Sequence, residues 1–170
     1  MGNRESKFEN RESDQRVTNM KSRSVGSTFE ELEVYQVARN FRKTMYGLAK
    51  RLPDIEKFVA GQIRRAALPL TDNIAEGHGR YHYLDQIRFT LQSRGSLEEL
   101  IDDLNTCEDE EYLPEKEVAS LKQEGWRVRQ LIDGYIRYLR RQKTAEREAS
   151  SAQETHPIYD DADDDSRISI

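Results

Sequence analysis

Four apolar stripes, with residues spaced mainly by threes and fours, constrain this chain more than any other feature. That spacing returns a side chain to the same face of an α-helix. In residues 29–52 the stripe is Val34, Ala38, Phe41, Met45, Leu48 and Leu52. Thr28 with Glu31 three positions on reads as a capping box. Pro53 closes this segment, because the residue before a proline resists the helical region. Residues 55–76 carry Val59, Ile63, Ala66, Leu70 and Ile74. Pro69 falls inside that stripe, removes a backbone donor and crowds the Arg65 carbonyl, so a kink is expected. Gly77 reads as the C-cap. Residues 81–108 supply Leu84, Ile87, Leu91, Leu97, Ile101 and Leu104, with Gly95 on the same side for close backbone approach. Pro114 suits a first turn, and residues 114–143 carry Leu121, Gly125, Val128, Ile132, Tyr135 and Leu139. No strand-like alternation competes with these patterns, and short connections favour antiparallel neighbours. The expected fold is all-α: an antiparallel up-down-up-down four-helix bundle over residues 28–143.

Composition enters at the ends. Only 35% of the chain is hydrophobic and another 35% is charged, which is little apolar material for 170 residues. Residues 1–27, rich in Ser, Arg, Glu and Asn, read as a disordered arm, and residues 144–170 as a disordered acidic tail. The net charge of −5 divides as +2 over residues 1–28, −1 over 29–143 and −6 over 144–170. The acidity therefore belongs to the tail and does not argue against a polyanionic partner. No run approaches the roughly 20 apolar residues of a membrane helix. The N-terminus lacks a secretory apolar core. With Cys107 the sole cysteine, a reducing cytoplasm is the simplest setting.

Catalytic chemistry finds little footing. A di-iron bundle needs inward Glu-x-x-His motifs, and neither His78 nor His82 has a Glu three positions before it. Glu76, His78 and His82 fit a polar turn better than a metal site. Cys107 is followed by Glu108 and Asp109, which disfavour a thiolate. Gly77-His78-Gly79 lacks the Gly-Lys-Ser/Thr ending of a phosphate loop. Glu98-Glu99 and Asp102-Asp103 sit at helical spacing and read as solvated faces or inter-subunit ion pairs. The expectation is a non-enzymatic module with no catalytic, cofactor or metal residues.

Basic residues offer more. At about 100° per residue, Arg129, Arg137, Arg140 and Arg141 fall opposite the last stripe, with Tyr138 among them as a surface on which a base can stack. Arg64 and Arg65 are candidates to extend the surface, as are Arg39, Arg42 and Lys43. Guanidinium groups on a rigid helix suit phosphate. An ordinary solvated face, an acidic protein partner and the chain's own tail compete with RNA or DNA for this reading.

Two segments carry a family resemblance: Asn73-Ile74-Ala75-Glu76-Gly77-His78-Gly79-Arg80 and Arg94-Gly95-Ser96-Leu97-Glu98-Glu99-Leu100. With Phe29-Glu30-Glu31-Leu32-Glu33-Val34-Tyr35-Gln36 and Gln62-Ile63-Arg64-Arg65-Ala66-Ala67, the chain resembles the four-helix bundle family of 23S rRNA intervening-sequence proteins. Accessory variability proteins of diversity-generating retroelements look like relatives. The resemblance covers roughly residues 29–143. It implies a barrel-like homopentamer with a basic surface and no catalytic residues. In the retroelement branch it implies a reverse transcriptase and its nucleic acids as partners. Physical roles follow for the matched positions. Asn73 and Glu76 are expected to tie the second helix to its neighbours. Gly77 and Gly79 are expected to make the sharp turn, and Gly95 with Ser96 to permit close packing. Tyr35, Val37 and Tyr46, off the first stripe, are expected to leave apolar surface for an interface.

Overall fold

A computed structural model describes residues 28–53 and 57–154. The arm, residues 1–27, and residues 155–170 of the tail lie outside the described residues. A 3-10 turn at Phe29–Glu31 leads into α1, Glu33–Arg51. Then come α2, Lys57–His78, α3, Tyr83–Asp109, and α4, Glu115–Glu154. No strand occurs among the described residues.

Side-chain bonds fix the directions. Arg42 Nη1 on α1 donates to Thr71 Oγ1 at 2.5 Å, and Arg64 Nη2 on α2 donates to the Ala49 carbonyl at 3.0 Å. Numbers rise on α1 as they fall on α2, so the pair is antiparallel. Ser93 Oγ donates to the Leu70 carbonyl at 2.5 Å, while Gly77 faces Phe89 and Gln86, giving the same sense to α2 and α3. Lys122–Glu108 and Arg94–Asp133 run α4 back along α3. Arg51–Glu117 at 2.6 Å closes the circuit between α1 and α4. Within the described residues the backbones of α1 and α3 do not approach each other, nor do those of α2 and α4; each pair stands diagonally across the bundle and meets only through core side chains.

The stripes form the core much as their spacing demands. Phe41, Met45, Ile63, Leu70, Ile74, Leu97, Ile132 and Leu139 are fully buried. Each such side chain contributes about 1.5–3 kcal/mol of transfer free energy. The third stripe is displaced from expectation. Leu84 is exposed and Leu91 half-buried, while Thr90, Ser93, Ser96, Leu100 and Cys107 are buried. Hydroxyls fill this face because each finds a carbonyl one turn back or on α2: Thr90 donates to Gln86, Ser96 to Gln92 and Ser93 to Leu70. Short side chains that satisfy their own polarity let α2 and α3 approach closely.

The ends differ from the sequence reading for local reasons. Thr28 makes no side-chain cap, and the α-helix begins only after Leu32; backbone bonds from Glu31 to Thr28 and from Leu32 to Phe29 hold the 3-10 turn in place of the expected capping box. α2 continues through Pro69 to His78, and the Asn73 amide donates to the Pro69 carbonyl at 2.8 Å. α3 ends where the Tyr112 and Glu111 amides donate to the Cys107 and Glu108 carbonyls, at 2.9 and 3.1 Å. This Schellman-type closure places Glu111 at φ 56°, a left-handed conformation without glycine. α4 does not stop near Lys143 but runs to Glu154, and every described side chain from residue 143 onward is exposed. Its apolar stripe ends at Leu139, yet Ala145, Glu146, Arg147, Glu148 and Ala149 are good helix formers that need no core to stay helical.

Candidate nucleic-acid interface

The faces of α4 divide by what they meet. Its flank against α3 is an ion-pair network. Arg129 Nε donates to Asp133 Oδ2 at 3.1 Å and its Nη1 to Glu98, while Arg94 Nη1 reaches Asp133 Oδ1 at 3.1 Å. Arg129, expected on the outer face, is thus turned sideways and neutralised. A long arginine just beyond the core edge reaches the acids of the neighbouring helix before it reaches open solvent.

Arg137 and Arg140 match the expectation of exposure. Neither has an ion-pair partner among the described residues, and no acid interrupts the helix between Asp133 and Glu146. Arg141 and Lys143 lie exposed within the same run, and Arg127 is an exposed cation about three turns before Arg137, without an ion pair among the described residues. Tyr138 does not present a free ring. It is half-buried and stacked on Tyr135, with centroids 6.2 Å apart and planes at 15°. Burial first, then Tyr83 nearby, pushes its hydroxyl pKa up; burial, then Tyr138 and Tyr83, does the same at Tyr135. The exposed aromatic of α4 is instead Trp126, 44% exposed. A large aromatic lying off the apolar stripe was its sequence signal.

Arg64 and Arg65 do not extend this surface. They stand on α2, diagonal to α4; Arg64 is occupied by the Ala49 carbonyl and Arg65 by Gln62 Oε1. α1, which does pack on α4, offers more: Arg39, Lys43 and Lys50 are exposed with no ion pair among the described residues. Arg42 is turned inward to Thr71. The helices differ sharply in charge: α1 carries five Lys or Arg against Glu33 alone, and α3 carries seven Asp or Glu against Arg88 and Arg94. Because α1 and α3 are diagonal, the bundle has a basic side and an acidic side. On the acidic side Asp103 has its pKa raised to about 6, by burial first and then by Asp102 and Glu99, with Arg65 opposing.

The motif residues serve the fold. Asn73 bonds within its own helix, and Glu76 pairs with Arg80 just past the helix end, so neither ties α2 to a neighbour as expected. The Arg80 guanidinium also lies 4.8 Å from the Phe89 ring centroid, which locks the α2–α3 corner. Gly77 is helical and buried, not a left-handed cap: an added Cβ would meet Phe89 Cβ at 3.0 Å and the Gln86 carbonyl at 3.3 Å. Gly79 donates to the Ala75 and Glu76 carbonyls and forms the turn itself. Gly95 is exposed with nothing within 4 Å of an added Cβ, so within the chain it permits no close packing. The glycine that does is Gly125, where an added Cβ would lie 2.6 Å from Ile101 Cδ1 and 3.3 Å from Phe41 Cζ. Tyr35, Val37 and Tyr46 pack against the core; the exposed large apolar side chains are Phe58, Leu68, Tyr81, Leu84 and Trp126. No group of three His, Cys, Asp or Glu able to hold a metal occurs among the described residues. No helix among them is long and apolar enough to cross a membrane.

Taken together, the packing defines an antiparallel bundle with exposed cations on α1 and on α4. The chain belongs to the family of 23S rRNA-intervening sequence proteins, whose pattern matches residues 30–134. The match stops at Gly134, so Arg137, Arg140 and Arg141 stand beyond it. Comparison with curated proteins finds no match.

Proposed function

We propose that this protein is a non-enzymatic, oligomeric adaptor that binds RNA or DNA through its basic edge. The observation that carries the reading is the pair Arg137 and Arg140, exposed on a rigid helix with no carboxylate partner among the described residues. Such guanidiniums keep their hydrogen-bond donors for phosphate oxygens. Arg127 on α4 and Arg39, Lys43 and Lys50 on α1 widen the track. Phosphate contacts of this kind set affinity without reading sequence. A role as accessory to a retroelement reverse transcriptase is the form of this function implied by the family resemblance, in a reducing cytoplasm that suits a buried Cys107 outside any disulfide.

Assembly into a homopentamer is the second part of the proposal. Phe58 on α2 and Leu84 on α3 are 73% and 58% exposed, more apolar surface than these helices need for the core. Basic and acidic sides on diagonal helices suit head-to-tail contacts that close a ring. Light scattering that finds a monomer at micromolar concentration would sink this part.

The test of binding is the nucleic acid retained by purified protein at physiological salt. The wild type should retain it, and the Arg137→Glu, Arg140→Glu double variant should lose it while its helical signal is unchanged. One observation favours the rival partner, an acidic protein. Tyr138 is packed away, so the Arg137–Arg140 region offers charge without a stacking surface. Retention of an acidic protein and no nucleic acid would select that scaffold reading.

A further inference from the structure

We propose that the chain's own acidic segment, residues 160–165, docks on the Arg137–Arg140 face of α4 and competes with nucleic acid for it. The competition rests on the nucleic-acid reading above; the docking does not. Three observations converge. First, α4 projects past its last core residue, Leu139, as a bare helix to Glu154, carrying the start of the tail along the same axis as the arginines. Second, the charges are complementary. Asp160, Asp161, Asp163, Asp164 and Asp165 follow within one stretch, while the helix from residue 134 to 145 holds Arg137, Arg140, Arg141 and Lys143 and no acid.

Third, the lengths fit. Arg140 lies 14 residues before Glu154, about 21 Å at the helical rise. Asp163 lies nine residues after Glu154, which spans up to about 30 Å when extended. A returning tail therefore brings its carboxylates over Arg140 and Arg137 without moving the helix. A tether this short holds the segment at an effective concentration on the order of millimolar, enough for a weak multivalent ion contact to be populated. High salt removes it, because exposed charges are screened.

The protein supplies the donor for a distance measurement. Trp126 is the single tryptophan, partly exposed on α4, and lies 28 residues before Glu154, about 42 Å along the axis. Cys107 is buried, so Ser169→Cys in the full chain accepts a fluorescent acceptor at one place. Docking swings that acceptor back toward Trp126. Energy transfer from Trp126 should be high at low salt and fall several-fold at about 0.5 M. It should fall equally at low salt in the Arg137→Glu, Arg140→Glu variant, and in a variant with the five Asp changed to Asn. Transfer unaffected by these changes overturns the proposal, and so does transfer that grows with protein concentration, which puts the tail on another copy. A second readout measures competition with a short labelled oligouridylate. The five-Asn variant should bind it about 3- to 10-fold more tightly at low salt. Unchanged affinity overturns competition; no binding by any variant, with transfer behaving as expected, sinks the nucleic-acid reading and leaves docking standing.

Discussion

Replacing Gly125 by alanine tests the packing of the bundle at its tightest point. The added Cβ would stand 2.6 Å from Ile101 Cδ1 and 3.3 Å from Phe41 Cζ. The Ile101 methyl can turn away, but Phe41 is 2% exposed and closed in on all sides. Overfilling a packed core costs about 1–3 kcal/mol. Replacing a mid-helix glycine returns about 1 kcal/mol of backbone entropy and propensity. The net expectation is a loss of up to about 2 kcal/mol, or a few degrees of melting temperature. Gly95→Ala is the matched control, since its Cβ meets open space and only the propensity gain remains, about 0.5–1 kcal/mol of added stability. Urea unfolding followed by far-UV circular dichroism reads both. Two alanines that stabilise equally would refute the claim that α1, α3 and α4 meet at Gly125. A Gly95→Ala loss that deepens on dilution would place Gly95 in a contact between subunits.

Other expectations follow from single residues. Asp103 binds its proton more tightly folded, at about 6, than at its ordinary 3.8, so its stabilisation is complete below about 3.8 and lost as pH rises through about 6. The group is half-exposed, and screening reduces the effect to about 1 kcal/mol. Asp103→Asn should match wild type near pH 4 and exceed it by that amount above neutrality, and parallel pH–stability curves would contradict the assignment. Glu111→Gly relieves the left-handed residue at φ 56° and should stabilise by about 0.5–1 kcal/mol in the same unfolding assay. Ser93→Ala removes the 2.5 Å bond to the Leu70 carbonyl and should cost about 0.5–1.5 kcal/mol, with a larger midpoint shift than Ser120→Ala on an exposed face.

Much of the fold was legible because burial at helical period leaves a mark. Phe41, Ile63, Leu97 and Ile132 each lie on the expected stripe and each is buried. What escaped depends on neighbours. Ser93 and Thr90 read as polar until the carbonyls that satisfy them are placed. Arg129 reads as a free cation until Glu98 and Asp133 stand beside it. Arg64 and Arg65 read as part of a patch until α2 is found diagonal to α4. Gly95 and Gly125 are alike in sequence and opposite in surroundings. The end of α4 was missed because an exposed helix has no apolar period to follow. Arg137 and Arg140 were legible because no acid among the described residues pairs with them, so their helical angle decides their exposure.

The central claim, binding of nucleic acid by an exposed arginine face, is tested most directly by the salt dependence of affinity. Anisotropy of a labelled single strand should show log affinity falling linearly with log salt at a slope of about −2 to −3, as expected for three or four phosphate contacts. The Arg137→Glu, Arg140→Glu variant should lose at least about tenfold in affinity and flatten the slope by more than one unit. Affinity that changes with neither salt nor these two substitutions, or no binding at low salt, would contradict the account.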